Sequence, residues 1–155
     1  MLQRRTLALT AALVLVFPLL VLASEKRTVQ KTYEIKKHDD IKVDVKIGEA
    51  KIESLRIDDW PGHDEIEKGK KHHDESSSIK VVFTYSNRDE KHAYKCKYTV
   101  AILDKDGKAL GEADADHTLD KGKHKDTNTV SFEMHTHRYD DAKKIQVTYD
   151  MKEKD

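Results

Sequence analysis

The chain has 155 residues, of which 37% are charged and 37% hydrophobic, with 29 basic side chains against 29 acidic ones. That length suits one domain with its own core rather than two, and the balanced, interleaved charge excludes a polycationic nucleic-acid binder. Cys96 is the one cysteine, which excludes a disulfide within the chain and leaves stability to the core or to a partner.

In chain order, Gln3-Arg4-Arg5 supplies a positive head, Leu7 to Leu22 is almost wholly apolar, and Val21-Leu22-Ala23 carries the small-residue end that a signal peptidase cuts. Residues 1–23 therefore read as a secretory signal peptide and 24–155 as a single extracytoplasmic domain, periplasmic or secreted. The apolar run holds Thr10 and Pro18 and falls short of the roughly 20 residues that comfortably span a bilayer, which favours cleavage. An uncleaved single-pass anchor is the alternative, and only then would the protein engage a membrane. The Arg4-Arg5 pair fits twin-arginine export as well as an ordinary positive head. Ser24, not a cysteine, stands directly after the cleavage site, which argues against a lipoprotein anchor. With Arg4 and Arg5 removed from the 29 basic residues, 27 stand against 29 acidic ones.

Past the signal, period-two alternation dominates. Ile41, Val43, Val45 and Ile47 alternate with Lys42, Asp44 and Lys46; Gly48 interrupts, and a second run passes through Ile52, Leu55 and Ile57. The shift of apolar phase between Ile52 and Leu55 predicts a bulge or kink where the strand changes sheet. Residues 58–78, with Trp60-Pro61-Gly62, a Lys/Glu/His mixture and Ser76-Ser77-Ser78, read as a long polar loop. Ile79, Val81, Phe83 and Tyr85 form the next inward face, followed by Tyr94, Cys96, Tyr98, Val100 and Ile102. Asp104-Lys105-Asp106-Gly107 predicts a tight hairpin, after which Lys108 to Leu119 returns as a more polar strand. Val130, Phe132 and Met134, then Ile145, Val147, Tyr149 and Met151, supply the last two inward faces. The spacing predicts an all-β fold, an immunoglobulin-like antiparallel β-sandwich of about seven strands.

From Ser78 to Met151, four features recur in one order: a strand ending in a polar turn at Asn87, a long strand ending Val100-Ala101-Ile102-Leu103-Asp104, the turn Lys105-Asp106-Gly107-Lys108, and Leu119-Asp120-Lys121-Gly122. This half of the chain resembles the small sandwich of bacterial FxLYD domains and, more remotely, the late-embryogenesis-abundant group 14 proteins. Val100 and Leu103 stand where the namesake string has phenylalanine and tyrosine, and Lys121 where a proline is usual. The resemblance implies a non-catalytic envelope or surface module.

Histidine is the enriched reactive type, with nine in the chain. His135 and His137 lie two apart, so on a strand they project from one face at roughly 6 to 7 Å, with Glu133 on the same face, a spacing able to hold zinc, copper or nickel. The same residues also fit the polar outer side of an amphipathic strand. His72 and His73, with His63 and Asp74 nearby, form a second candidate metal cluster. Asp104, Asp106 and Glu112 lack the acid spacing of a calcium loop, and the hairpin accounts for them. Cys96 shares a strand face with Tyr94 and Tyr98 and reads as a buried apolar side chain rather than a nucleophile. Trp60, beside Pro61, offers either an aromatic platform or a pin for the loop. No strained nucleophile turn, phosphate loop or His-Glu-x-x-His helix occurs. The expectation is a non-enzymatic secreted or periplasmic binding or accessory module of the cell envelope, meeting a protein or envelope component without a cofactor; a zinc- or copper-binding protein is the alternative.

Overall fold

Alternation along the chain becomes eight strands in the computed structural model, which describes residues 26–36, 38–58 and 76–154. They are β1 (Lys26–Glu34), β2 (Ile41–Ile47), β3 (Ala50–Asp58), β4 (Ser76–Asn87), β5 (Tyr94–Leu103), β6 (Ala109–Leu119), β7 (Lys123–His135) and β8 (Lys144–Glu153), with one 3-10 turn at Thr136–Arg138. All pair antiparallel, in one sheet ordered β1-β8-β5-β6 and another ordered β2-β3-β4-β7. The inward positions read from the sequence are the buried ones: Ile41 to Ile47 on β2, Ile79 to Tyr85 on β4, Tyr94 to Ile102 on β5 and Ile145 to Met151 on β8. The protein is an all-β sandwich. The apolar N-terminal segment, Trp60, His63, His72 and His73 lie outside the described residues.

The strand order carries more information than the layer count. Beginning at β3, the sheet β3-β4-β7 faces β6-β5-β8-β1, and the chain crosses between sheets after β4, β6 and β7. This is the Greek-key order of an immunoglobulin-type sandwich, with the place of its terminal strand taken by β1 from the other end of the chain. β2 extends the opposite sheet beyond β3.

The two sheets meet at an aromatic cluster. Phe83 of β4 stacks on Tyr98 of β5 with ring centroids 4.2 Å apart and planes 20° apart, and Tyr149 of β8 stands edge-on to both, at 6.0 and 5.9 Å. All three side chains are fully buried. Their hydroxyls are not orphaned: the Asn128 amide donates to Tyr98 at 3.3 Å, and Tyr149 shares a 3.4 Å contact with the Tyr33 hydroxyl on β1. Buried Asn87 binds the two loops at one end, its amide donating to the carbonyls of His92 and Leu119 while its oxygen accepts the Asp89 N–H. Tyr139, in the corner between β7 and β8, donates to the Ser77 carbonyl at 2.9 Å. Gly111 lets β6 approach β7 closely: a Cβ there would sit 3.2 Å from the Phe132 ring, which would have to give by a few tenths of an ångström.

Three expectations change. The sandwich has an eighth strand, β1, whose half-buried positions read Val29, Lys31 and Tyr33 and so hide the apolar period behind a lysine. That lysine points inward and donates to the Val43 carbonyl of β2 at 2.7 Å, as Arg27 donates to the Lys46 carbonyl. The bulge in β3 is present between Ile52 and Ser54, but β3 continues in the same sheet. The polar 58–78 segment is shorter than read: Asp58 closes β3, and Ser76-Ser77-Ser78 open β4, paired with His135, Met134 and Glu133. Serine is no obstacle to a strand whose carbonyls are paired, and Ser77 is buried.

Because Phe83 touches both tyrosines across the interface, Phe83→Ala is expected to lower unfolding free energy by about 3–5 kcal/mol, read from urea denaturation, whereas Thr32→Ala on the exposed face of β1 should stay within about 0.5 kcal/mol.

Candidate functional site

The outward face of β1-β8-β5-β6 carries the densest pattern of charge placed by register. Lys26 lies opposite Lys152, and Lys152 opposite Lys95, so three neighbouring strands present a lysine at one level. The next level reads Thr28, Asp150, Lys97 and Asp116, and the one after it Gln30, Thr148, Thr99 and Asp114. Alternation forces this arrangement: Tyr94, Cys96 and Tyr98 turn into the core, so Lys95 and Lys97 face out. A hollow of about 660 Å³ opens at the lysine end, bounded by side chains of all four strands and by Lys154. Within it Asp150 takes a hydrogen bond from Thr28 at 3.1 Å and an ion pair from Lys26 at 3.7 Å. Lys97 pairs with Asp114 at 2.8 Å, which holds the ammonium group more firmly protonated and the carboxyl lower than usual.

The histidines read as metal ligands divide. β7 ends at His135, so His137 belongs to the 3-10 turn rather than the strand. The rings nonetheless lie together, with centroids 5.6 Å apart and planes 26° apart, both exposed. The Ser76 hydroxyl lies 3.5 Å from His135 Nδ1. Glu133 faces outward one step back on the strand, but no three of histidine, cysteine, aspartate and glutamate converge as a metal set among the described residues. His135 and His137 thus stand as a stacked pair of exposed imidazoles. His72 and His73 lie outside the described residues.

At the hollow's end of the sandwich, Asp89 organises the loop between β4 and β5. Its Oδ1 accepts the Lys91 N–H at 2.7 Å and the His92 N–H at 3.0 Å, and its Oδ2 meets His92 Nδ1 at 2.7 Å. The other ring nitrogen faces Glu153 at 3.6 Å, joining this loop to the end of β8. The Lys91 backbone N–H and then the His92 ring hold the Asp89 carboxyl down at about 2. The sequence marks a polar turn at Asn87 but the pairing of Asp89 with His92 was missed, although Asn-x-Asp before a histidine three residues on is a recognisable side-chain turn.

The remaining candidates are structural. Cys96 is fully buried beside Tyr98, and burial pushes its thiol up to about 12, far from a reactive thiolate. Asp104 spends its carboxylate on its own turn, accepting the N–H groups of Asp106 and Lys108 at 2.9 Å each, with Gly107 at φ +84 closing the hairpin.

No protein-family model and no curated protein matches the chain. Among solved structures, the enzymatically active domain of tailspike protein 4 from bacteriophage CBA120 overlaps 81% of this chain and 18% of its own length, at 6% identity and a TM-score of 0.23. A likeness at that level carries no argument about shared fold or activity.

Asp89 sets a pH test. Its folded pKa lies below the ordinary 3.8, so its contribution is fully present above about pH 4 and is lost as pH falls toward about 2. Denaturant midpoints of wild type and Asp89→Asn are expected to differ at pH 6 and to converge near pH 2, with wild type the more stable at the higher pH. A difference that does not change with pH would remove the carboxylate from this role.

Proposed function

We propose that the chain is a secreted or periplasmic, non-catalytic binding module of the cell envelope, and that it meets its partner, a protein or another envelope component, through the outward face of β1-β8-β5-β6. The observation that carries this reading is the hollow on that face, where three lysines stand level across neighbouring strands. An export signal at residues 1–23 and the resemblance of Ser78 to Met151 to FxLYD-type sandwiches point the same way. The reactive groups of the core favour binding over catalysis: Cys96, Tyr98 and Tyr149 are buried and held neutral by desolvation.

A second reading rests on a separate observation, the 5.6 Å stacking of His135 on His137. It makes the protein a binder of zinc or copper, with exposed rings that turn to share one cation.

One experiment separates the two. Amide hydrogen exchange of Ser24 to Asp155 is followed alone, with a solubilised envelope fraction from the source cells, and with zinc. The binding-module reading predicts slowed exchange in β5 and β8 with the envelope fraction. The metal reading predicts slowing confined to the end of β7 and the 3-10 turn with zinc. Unchanged exchange in both additions overturns both.

A further inference from the structure

We propose that the level row Lys26, Lys152 and Lys95, with Lys154 beside it, is a binding site for a soluble polymer bearing repeated phosphate groups. This deepens the binding-module reading and rests on it. Neighbouring strands lie about 4.8 Å apart, so the row spreads three ammonium groups over roughly 10 Å, and like charges directly opposite in an antiparallel pair oppose folding. Lys26 relieves itself on Asp150 and Lys97 on Asp114. Lys95, Lys152 and Lys154 form no ion pair with any other described residue. The hollow is lined by five lysines and two aspartates in a chain whose total charge is balanced, so the excess is local.

The chemistry of the row selects the ligand. Lysine offers a compact point charge with several donors, which suits tetrahedral oxyanions gripped one oxygen at a time. Thr118, opposite Lys95, adds a hydroxyl at the far end of the row. A chain carrying a charge every few ångströms satisfies three ammonium groups at once, where a single small anion satisfies one or two. A bilayer is the poorer fit: the basic surface is recessed, and the two levels next to it, Thr28-Asp150-Lys97-Asp116 and Gln30-Thr148-Thr99-Asp114, carry no apolar side chain to enter lipid. A single-stranded nucleic acid is disfavoured because the ring that lines the hollow, the His117 imidazole, is packed edge-on against Tyr98 and hydrogen-bonded to the Thr129 carbonyl. No exposed tyrosine, phenylalanine or tryptophan stands on the adjacent levels for bases to stack on. The acidic side chains begin one level on, with Asp150 and Asp116, and continue through Asp114 and Glu112, so a polyanion is held across the strands at the lysine row and not along them.

The test is a titration of Ser24 to Asp155 with tripolyphosphate, orthophosphate and vesicles of mixed anionic and neutral phospholipid, at low and physiological salt. Two variants carry the same charge change: Lys95→Gln with Lys152→Gln on the proposed site, and Lys42→Gln with Lys46→Gln on the outward face of β2. The proposal predicts that tripolyphosphate binds more tightly than orthophosphate, weakens with salt, and is weakened about tenfold or more by the first variant but not the second. It also predicts that the first variant, without ligand, unfolds at a temperature no lower than wild type. Equal loss in both variants overturns it in favour of unselective charge attraction. Vesicle binding without tripolyphosphate binding overturns it in favour of a membrane surface. Absence of any response, with exchange of β5 and β8 still slowed by the envelope fraction, overturns the phosphate assignment and leaves the binding module standing.

Discussion

Everything in this fold depends on the stacking of Phe83 on Tyr98. The sandwich has one cysteine, so no covalent bond ties its sheets together, and Cys96 itself is a packed side chain of the core. In antibody domains a disulfide joins the second and penultimate strands of the key and a tryptophan packs against it. Here the corresponding strands carry Phe83 and Tyr149, and Tyr98 takes the position across from them. Aromatic pairs contribute about 0.5–1.5 kcal/mol beyond the area they bury. Three mutual contacts at the centre of the interface therefore stand in for the missing cross-link. The polar ends of the rings make the cluster specific as well as stable, since Tyr98 must reach Asn128 and Tyr149 must reach Tyr33.

The second of those reaches links the core to the unusual placement of β1. This strand completes the sheet of β8 and β5 from the opposite end of the chain, and Tyr33 anchors it to the cluster. Its Arg27 and Lys31 then cross to carbonyls of β2, the edge of the other sheet. Unpaired edge carbonyls invite a strand from another chain, and cations laid over them block that pairing. The open side between the two edges is thus sealed by side chains, while β6 and β7 close the opposite side through direct packing. Both broad faces remain for binding, and the register of β1 with β8 is what aligns the lysine row.

Legibility in the sequence followed the strength of the period. β2, β4, β5 and β8 each place four or more apolar side chains two apart, and their inward residues could be read one by one. β1 could not be read that way, because Lys31 occupies an inward position and is satisfied by the Val43 carbonyl on β2, the edge strand of the other sheet. Ser76 to Ser78 looked like a loop because what makes them a strand is pairing with β7, a partner invisible from composition. The candidate sites divide similarly. His135 and His137 are two apart and were visible, although the strand stops between them and the geometry that justified the pair does not hold. The lysine row joins residues 26, 95 and 152, and no local pattern connects those positions. Only the register of three strands does.

The account makes the Phe83, Tyr98 and Tyr149 cluster the centre of stability, and native-state hydrogen exchange under increasing denaturant tests that directly. It predicts that amides of β4, β5 and β8 flanking the cluster open only with global unfolding, while those of β2 and the outer half of β6 open at lower free energy. Slowest exchange in β2, or free energies equal along all eight strands with no maximum at the cluster, would contradict it.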